Sequence, residues 1–248
     1  MRPIGKSLLT AALLFALTHT ALAQTADEVI EKHLAAMGGR ATLEKVKSRR
    51  TTGTVTVSTP LGSLPGTIET LNEAPNKVRM SMKLDLSAMN LGQDVIDQRF
   101  DGQSGITMDS LQGNRDITGA QLDLMKASSF PSPFLNYKAA GATVELTGKE
   151  KVGDRDAYVV ILKSGNGPAP RLYIDAQTYV PIKSVITVNV PQLGRDLEQT
   201  SEFSDYRDVD GMKIPFEVKQ VSDIQTLTVK LTKVEHNVEV DEKLFSKP

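Results

Sequence analysis

The period of apolar and polar positions changes several times along this chain, and each change marks an element. Thr25 is followed three residues later by Glu28, and Val29, Ile30, His33, Leu34 and Met37 then recur at helical spacing up to Gly38-Gly39. A capping box opens such a helix and glycine closes it; a second short helix is expected over Arg40 to Lys47. From Arg49 the period falls to two. Val55 and Val57 alternate with threonines, Pro60-Leu61-Gly62 turns, Ile68 and Leu71 lie on a return strand, and Pro75-Asn76 turns again. The clearest alternation sets Val78, Met80, Met82, Leu84 and Leu86 on one face against Arg79, Ser81, Lys83 and Asp85 on the other. That is the pattern of a half-buried antiparallel strand. Strands near 94–100 and 104–109 follow, divided by the hairpin signal Asp101-Gly102.

Residues 117–141 interrupt the strands. Thr118 with Gln121 reads as a second capping box before Leu122, Leu124 and Met125, and Phe130-Pro131 ends that helix. Ser132 with Pro133 opens a further helix carrying Phe134, Leu135 and Tyr137, closed by Gly141. Beyond this helical insert, strands are expected at about 142–151, 156–163, 170–175, 180–189, 196–208, 213–222 and 224–236. Their turns carry Gly153-Asp154, Gly165-Asn166-Gly167, Asp175 to Thr178 and Asp210-Gly211. Short turns between long strands make an antiparallel meander. About 11–12 strands are too many for a flat open sheet, so the fold class is mainly β: a curved antiparallel sheet or incomplete β-barrel closed by helices. With no linker and no repeat, residues 24–248 read as one domain.

The N-terminus adds an address. Arg2 and Lys6 precede an apolar run from Leu8 to Leu17, and Ala21-Leu22-Ala23 supplies an A-x-A site before Gln24. This is a secretory signal over residues 1–23, cleaved after Ala23, and too short to span a bilayer. The expected location is the periplasm. The chain has no Cys, so it has neither disulfides nor the N-terminal Cys of an acylated lipoprotein, and a stable membrane anchor is not expected. Residues 24–248 carry 27 basic and 30 acidic side chains, a net charge of −3, without a basic stripe. Nucleic acid is therefore a poor partner.

Catalytic chemistry finds few candidates. After signal removal the histidines are His33, on the apolar side of a helix, and His236, expected at the surface at a strand end. No G-x-S-x-G occurs, and Gly102-Gln103-Ser104-Gly105 belongs to a hairpin. Asp208, Asp210, Gly211 and Glu217 mimic part of an EF-hand loop, but Tyr206 stands at its first position and the flanks read as strands. A tight hairpin turn explains them better. The acids Asp94 and Asp97, and Glu239, Asp241 and Glu242, read as solvated surface, and the absence of Trp removes the usual sugar platform. No metal, cofactor or enzymatic activity is expected.

Apolar surface is what remains. The Val78, Met80, Met82, Leu84, Leu86 face and a similar one at Leu227, Val229 and Leu231 form either ordinary core or the lining of a cavity for an acyl chain. In the second case Leu122, Met125, Phe130 and Phe134 belong to its lid.

Arg171 to Lys183 reads RLYIDAQTYVPIK, and Phe203 to Phe216 reads FSDYRDVDGMKIPF. These segments resemble the LolA-like superfamily of periplasmic lipoprotein carriers. Its bacterial relatives pair a Tyr-x-Asp-x-x-Thr-x-x-Pro strand-turn-strand with Asp-Tyr-Arg-x-Val-Asp-Gly-x-x-x-Pro. Here Asp175, Thr178, Pro181 and Gly211 supply those positions, and the ending from Val238 to Pro248 also looks like the tail of such domains. The resemblance implies an incomplete barrel with an apolar cavity for acyl chains, and an Arg on the inner sheet face, for which Arg50 and Arg79 are candidates by location. The resulting expectation is a soluble, monomeric, non-catalytic carrier or chaperone whose partner is a lipid or an acylated protein. The alternative is an exported adaptor or sensor with a self-filled core that binds envelope proteins.

Overall fold

A computed structural model describes residues 24–165, 169–190 and 194–248. The signal segment and part of the Gly165-Asn166-Gly167 turn lie outside the described residues. Two helices open the described part of the chain, α1 (Ala26–Ala36) and α2 (Arg40–Leu43). Six strands follow: β1 (Ser48–Thr59), β2 (Gly62–Glu73), β3 (Lys77–Asp85), β4 (Gln93–Phe100), β5 (Gly105–Asp109) and β6 (Arg115–Ile117). Helix α3 (Gly119–Ala127) leads to β7 (Thr143–Val152), β8 (Arg155–Lys163), β9 (Arg171–Asp175), β10 (Pro181–Val190), β11 (Arg195–Val209), β12 (Met212–Val221) and β13 (Thr226–His236).

All 13 strands belong to one antiparallel sheet in the order β6-β5-β4-β3-β2-β1-β13-β12-β11-β10-β9-β8-β7. Each half is a meander, and the pairing of β1 with β13 joins the last strand to the first. The sheet stays open, with β6 and β7 at its edges. One close approach fixes the seam. A Cβ on Gly53 of β1 would lie 2.3 Å from the Lys230 carbonyl oxygen, at a register shift between Thr52 and Gly53, so only glycine fits there.

Both reciprocal bonds of the Thr25–Glu28 capping box form, at 3.2 and 3.0 Å. The Asp210-Gly211 hairpin also forms, with φ of +50° and +78° at the two turn residues. Asp175 Oδ1 accepts from Gln177 N, Thr178 N and Thr178 Oγ1, which fixes the β9–β10 turn before Pro181.

The middle segment departs from expectation. Thr118 makes no side-chain cap, because Gly119 enters α3 at φ +57° and breaks the capping-box geometry. Residues 132–141 form turns rather than a helix. Ser132 Oγ accepts from Phe134 N at 3.3 Å, while Phe134, Leu135 and Tyr137 are all drawn into the core. Tertiary burial outweighs the weak local propensity of so short a piece. The short strand β6 was not anticipated, and α2 ends at Leu43 rather than at Lys47.

The inner face is packed in two places. Val29, Ile30 and Leu34 of α1 join Phe134, Leu135 and Tyr137 against Tyr158, Val160, Ile174, Met212 and Ile214 of the sheet. Farther along, Val55, Val57, Ile68, Met82, Leu84 and Leu86 form a second cluster. On the opposite face the C-terminal segment straps down β3 and β4. Lys77 Nζ bonds Glu242 at 2.7 Å and lies 5.9 Å from the Phe245 ring centre, and Arg99 donates to the Ser246 carbonyl oxygen at 3.4 Å.

Candidate functional site

Between α1, the segment from Pro131 to Phe134 and strands β9 to β12 lies a cavity of about 250 Å³. Met37, Phe134, Leu172, Phe203, Met212 and Ile214 supply its apolar wall. His33, Arg49, Ser132, Tyr206 and Lys213 are its polar members, and among the described residues no Asp or Glu lines it. Helical spacing brings His33 and Met37 to the inner side of α1. Strand alternation does the same for Met212 and Ile214.

Several polar members already have partners. His33 is 4% exposed, with Nδ1 3.0 Å from the Tyr179 carbonyl oxygen and its ring edge-on to Phe134 at 5.4 Å. Burial lowers its pKa against the opposing pull of that carbonyl. Tyr206 donates to the Pro181 carbonyl oxygen at 2.7 Å, and burial pushes its pKa up.

Two cations line the site, and Lys213 is paired with Asp208, whereas Arg49 has no ion-pair partner among the described residues. Its Nε donates to His236 Nε2 at 3.0 Å, and its guanidinium lies 5.1 Å from the Phe130 ring centre. An arginine only donates, so His236 carries its single proton on Nδ1 and gives it to Asp210 Oδ2 at 2.9 Å. Loss of hydration lowers the Arg49 pKa to about 10. The His236 pKa is lowered by burial and by the nearby Arg49, with Asp210 opposing. With a side chain 3% exposed, His236 is not the surface residue expected from its charged neighbours.

Arg49 therefore lies on the inner face of the sheet, whereas the expected candidates Arg50 and Arg79 do not. Arg50 pairs across the ladder with Leu71, and Leu71 with Arg79, a row on the opposite face of the sheet from Arg49. There Arg79 and Arg99 grip Asp97 at 2.8 and 2.9 Å beside a larger, polar groove of about 690 Å³. Asp97 and Asp94 are buried rather than solvated, Asp94 accepting from Ser110 Oγ at 2.6 Å.

Of the residues singled out as cavity and lid, Phe134 lines the 250 Å³ cavity. Phe130 and Leu231 pack on the core cluster around it. Met82, Leu84 and Leu86 are buried in the second cluster, and Met80, Leu227 and Val229 pack on that cluster. Val78, Leu122 and Met125 are half-buried, with Met125 Sδ receiving a weak bond from Gln98 at 3.6 Å across α3 and β4.

No family model matches the sequence, and a search of curated proteins finds no match. Solved structures do match. A LolA superfamily protein from Nitrosomonas europaea superposes with TM-score 0.56 at 16% identity, over 91% of this chain and 99% of that one. The fold is LolA-like. A putative outer membrane lipoprotein-sorting protein domain from Vibrio parahaemolyticus shares this LolA-like fold with TM-score 0.54 at 12% identity, over 88% of this chain and 94% of its own. A DUF1329 family protein from Desulfovibrio piger does so with TM-score 0.56 at 11% identity, over 89% and 97% respectively. At such identities the LolA-like likeness is one of architecture, and chemistry must be argued from this chain's own residues.

Proposed function

We propose that this protein is a soluble periplasmic carrier that shelters an acyl chain, of a lipoprotein or another lipid, without catalysing a reaction. The observation that carries the reading is the apolar cavity between α1, the Pro131–Phe134 segment and the inner sheet face. Burying an acyl chain there contributes about 0.8 kcal/mol per CH₂. Among the described residues no acid lines the cavity, and His33 and Ser132 are each bonded elsewhere, to the Tyr179 carbonyl oxygen and to Phe134 N, so nothing there supports a hydrolytic triad. The LolA-like fold, shared with a putative lipoprotein-sorting domain, agrees with this reading.

A second reading, an envelope adaptor with a self-filled core, draws on the tight second cluster, where Met82, Leu84 and Leu86 are only 8%, 5% and 7% exposed. Native mass spectrometry of the purified protein before and after solvent extraction separates the two. Co-purifying lipid, or uptake of a fluorescent fatty acid after extraction, is the carrier's expected result. A protein that holds no lipid and takes up none is not a carrier.

A further inference from the structure

The cavity contains one feature that acyl-chain burial does not explain. Arg49 projects a guanidinium from β1 into an apolar setting, and among the described residues no carboxylate forms an ion pair with it. Its neighbours are a neutral His236 acceptor at 3.0 Å and the face of Phe130 at 5.1 Å. The nearest acid in this network, Asp210, is engaged with the far side of the His236 ring. Withdrawing a cation from water without a counter-charge is costly, and such groups are normally paired. The other cation in the lining, Lys213, is already matched by Asp208 at 2.9 Å.

We propose that Arg49 is the head-group receptor of the cavity, and that the ligand is a single-chain amphiphile with an anionic head, a carboxylate or a phosphate. The inference rests on the carrier reading and names the ligand class for the same site. His236 occupies Nε and so orients the guanidinium, which leaves the two terminal nitrogens to hold an oxyanion by a pair of parallel bonds. The guanidinium carbon lies over the Phe130 ring at 5.1 Å, a cation–π contact that helps hold the group in place. The chain then lies along Phe134, Phe203 and Ile214. A space of about 250 Å³ is below the roughly 300–1,000 Å³ of ordinary small-molecule sites, so it suits one chain rather than several.

The test compares heads on a constant chain. Myristate, 1-tetradecanol, tetradecylamine and a lysophosphatidylglycerol bearing the same chain are titrated calorimetrically into delipidated protein. Myristate, the lysophospholipid or both are expected to bind at least about tenfold more tightly than the alcohol, with the amine weakest. The two anionic arms tell carboxylate from phosphate. In Arg49→Gln the preference for the anion over the alcohol disappears while the alcohol still binds; Arg49→Lys keeps part of it, and Lys151→Gln, an exposed lysine outside the cavity lining, keeps all of it.

Equal binding of all four heads by the unaltered protein, or a preference retained by Arg49→Gln, overturns the assignment while leaving a carrier. If no chain binds at all, the carrier reading falls and this one with it. Because the head-group series is run on the unaltered protein, the result stands even if Arg49→Gln does not fold.

Discussion

Replacing Phe134 with alanine removes a ring that is 3% exposed and wedged between α1 and the sheet. The ring meets His33 edge-on at 5.4 Å and an interplanar angle of 82°. Truncating a buried phenylalanine costs about 3–5 kcal/mol, and the aromatic contact is included in that figure. One side of the ring borders the cavity, where partner atoms are fewer, so the lower end, about 3 kcal/mol, is expected. For a domain of this size each kcal/mol moves the melting temperature by roughly 2–4 °C, which gives a fall of about 6–12 °C. Urea unfolding followed by far-UV circular dichroism gives the free energy, and calorimetry gives the temperature. Phe134→Leu, which fills more of the space, should lose less than half as much. A loss below about 1 kcal/mol for Phe134→Ala, with the urea slope unchanged, would refute the packing argument, because Phe134 would then not be holding the segment against α1.

Two further outcomes follow from charged and titratable groups. His33 and His236 are held neutral, each with a lowered pKa due chiefly to burial, while unfolded histidines take up protons near pH 6.5. The unfolded chain therefore binds more protons as the pH falls, and stability should drop from about pH 6.5 downward, before the carboxylates titrate; equal urea midpoints near pH 7.5 and near pH 5 would contradict this. Asp97 is caught between Arg79 and Arg99, which together outweigh its burial and keep its pKa low. Asp97→Asn leaves two half-buried guanidinium groups without their shared partner and should cost about 2–4 kcal/mol in the same unfolding assay; a change under about 0.5 kcal/mol would mean that solvent already screens the cluster.

Much of the architecture was legible in the chain because it rests on local rules. The Thr25–Glu28 box, the Asp175–Thr178 turn and the Asp210-Gly211 hairpin each follow from side chains that satisfy nearby backbone groups or tolerate positive φ. Period-two alternation placed the strands from β7 to β13 to within two residues of their observed ends. The same alternation held information about the site: Arg49 has the parity of Val55 and Val57 on β1, whereas Arg79 is out of phase with Val78 and Met80 on β3. Parity alone sends Arg49 inward and Arg79 outward.

Tertiary structure decided what no local pattern encodes. Residues 132–141 abandon a helix because three large side chains find the core from a turn conformation. Asp94 and Asp97 look like surface charges in the chain, yet they are buried where neighbouring strands bring Ser110, Arg79 and Arg99 to them. His236 becomes a buried link because the β1–β13 ladder sets it directly opposite Arg49, 187 positions away, and the next hairpin supplies Asp210. Sequence by itself determined most of the strands, their order and the face each strand residue takes, since those depend on neighbours a few residues apart. The meeting of an unpaired cation with an apolar cavity depends on contacts between strands distant in the chain, and only the folded sheet brings it about.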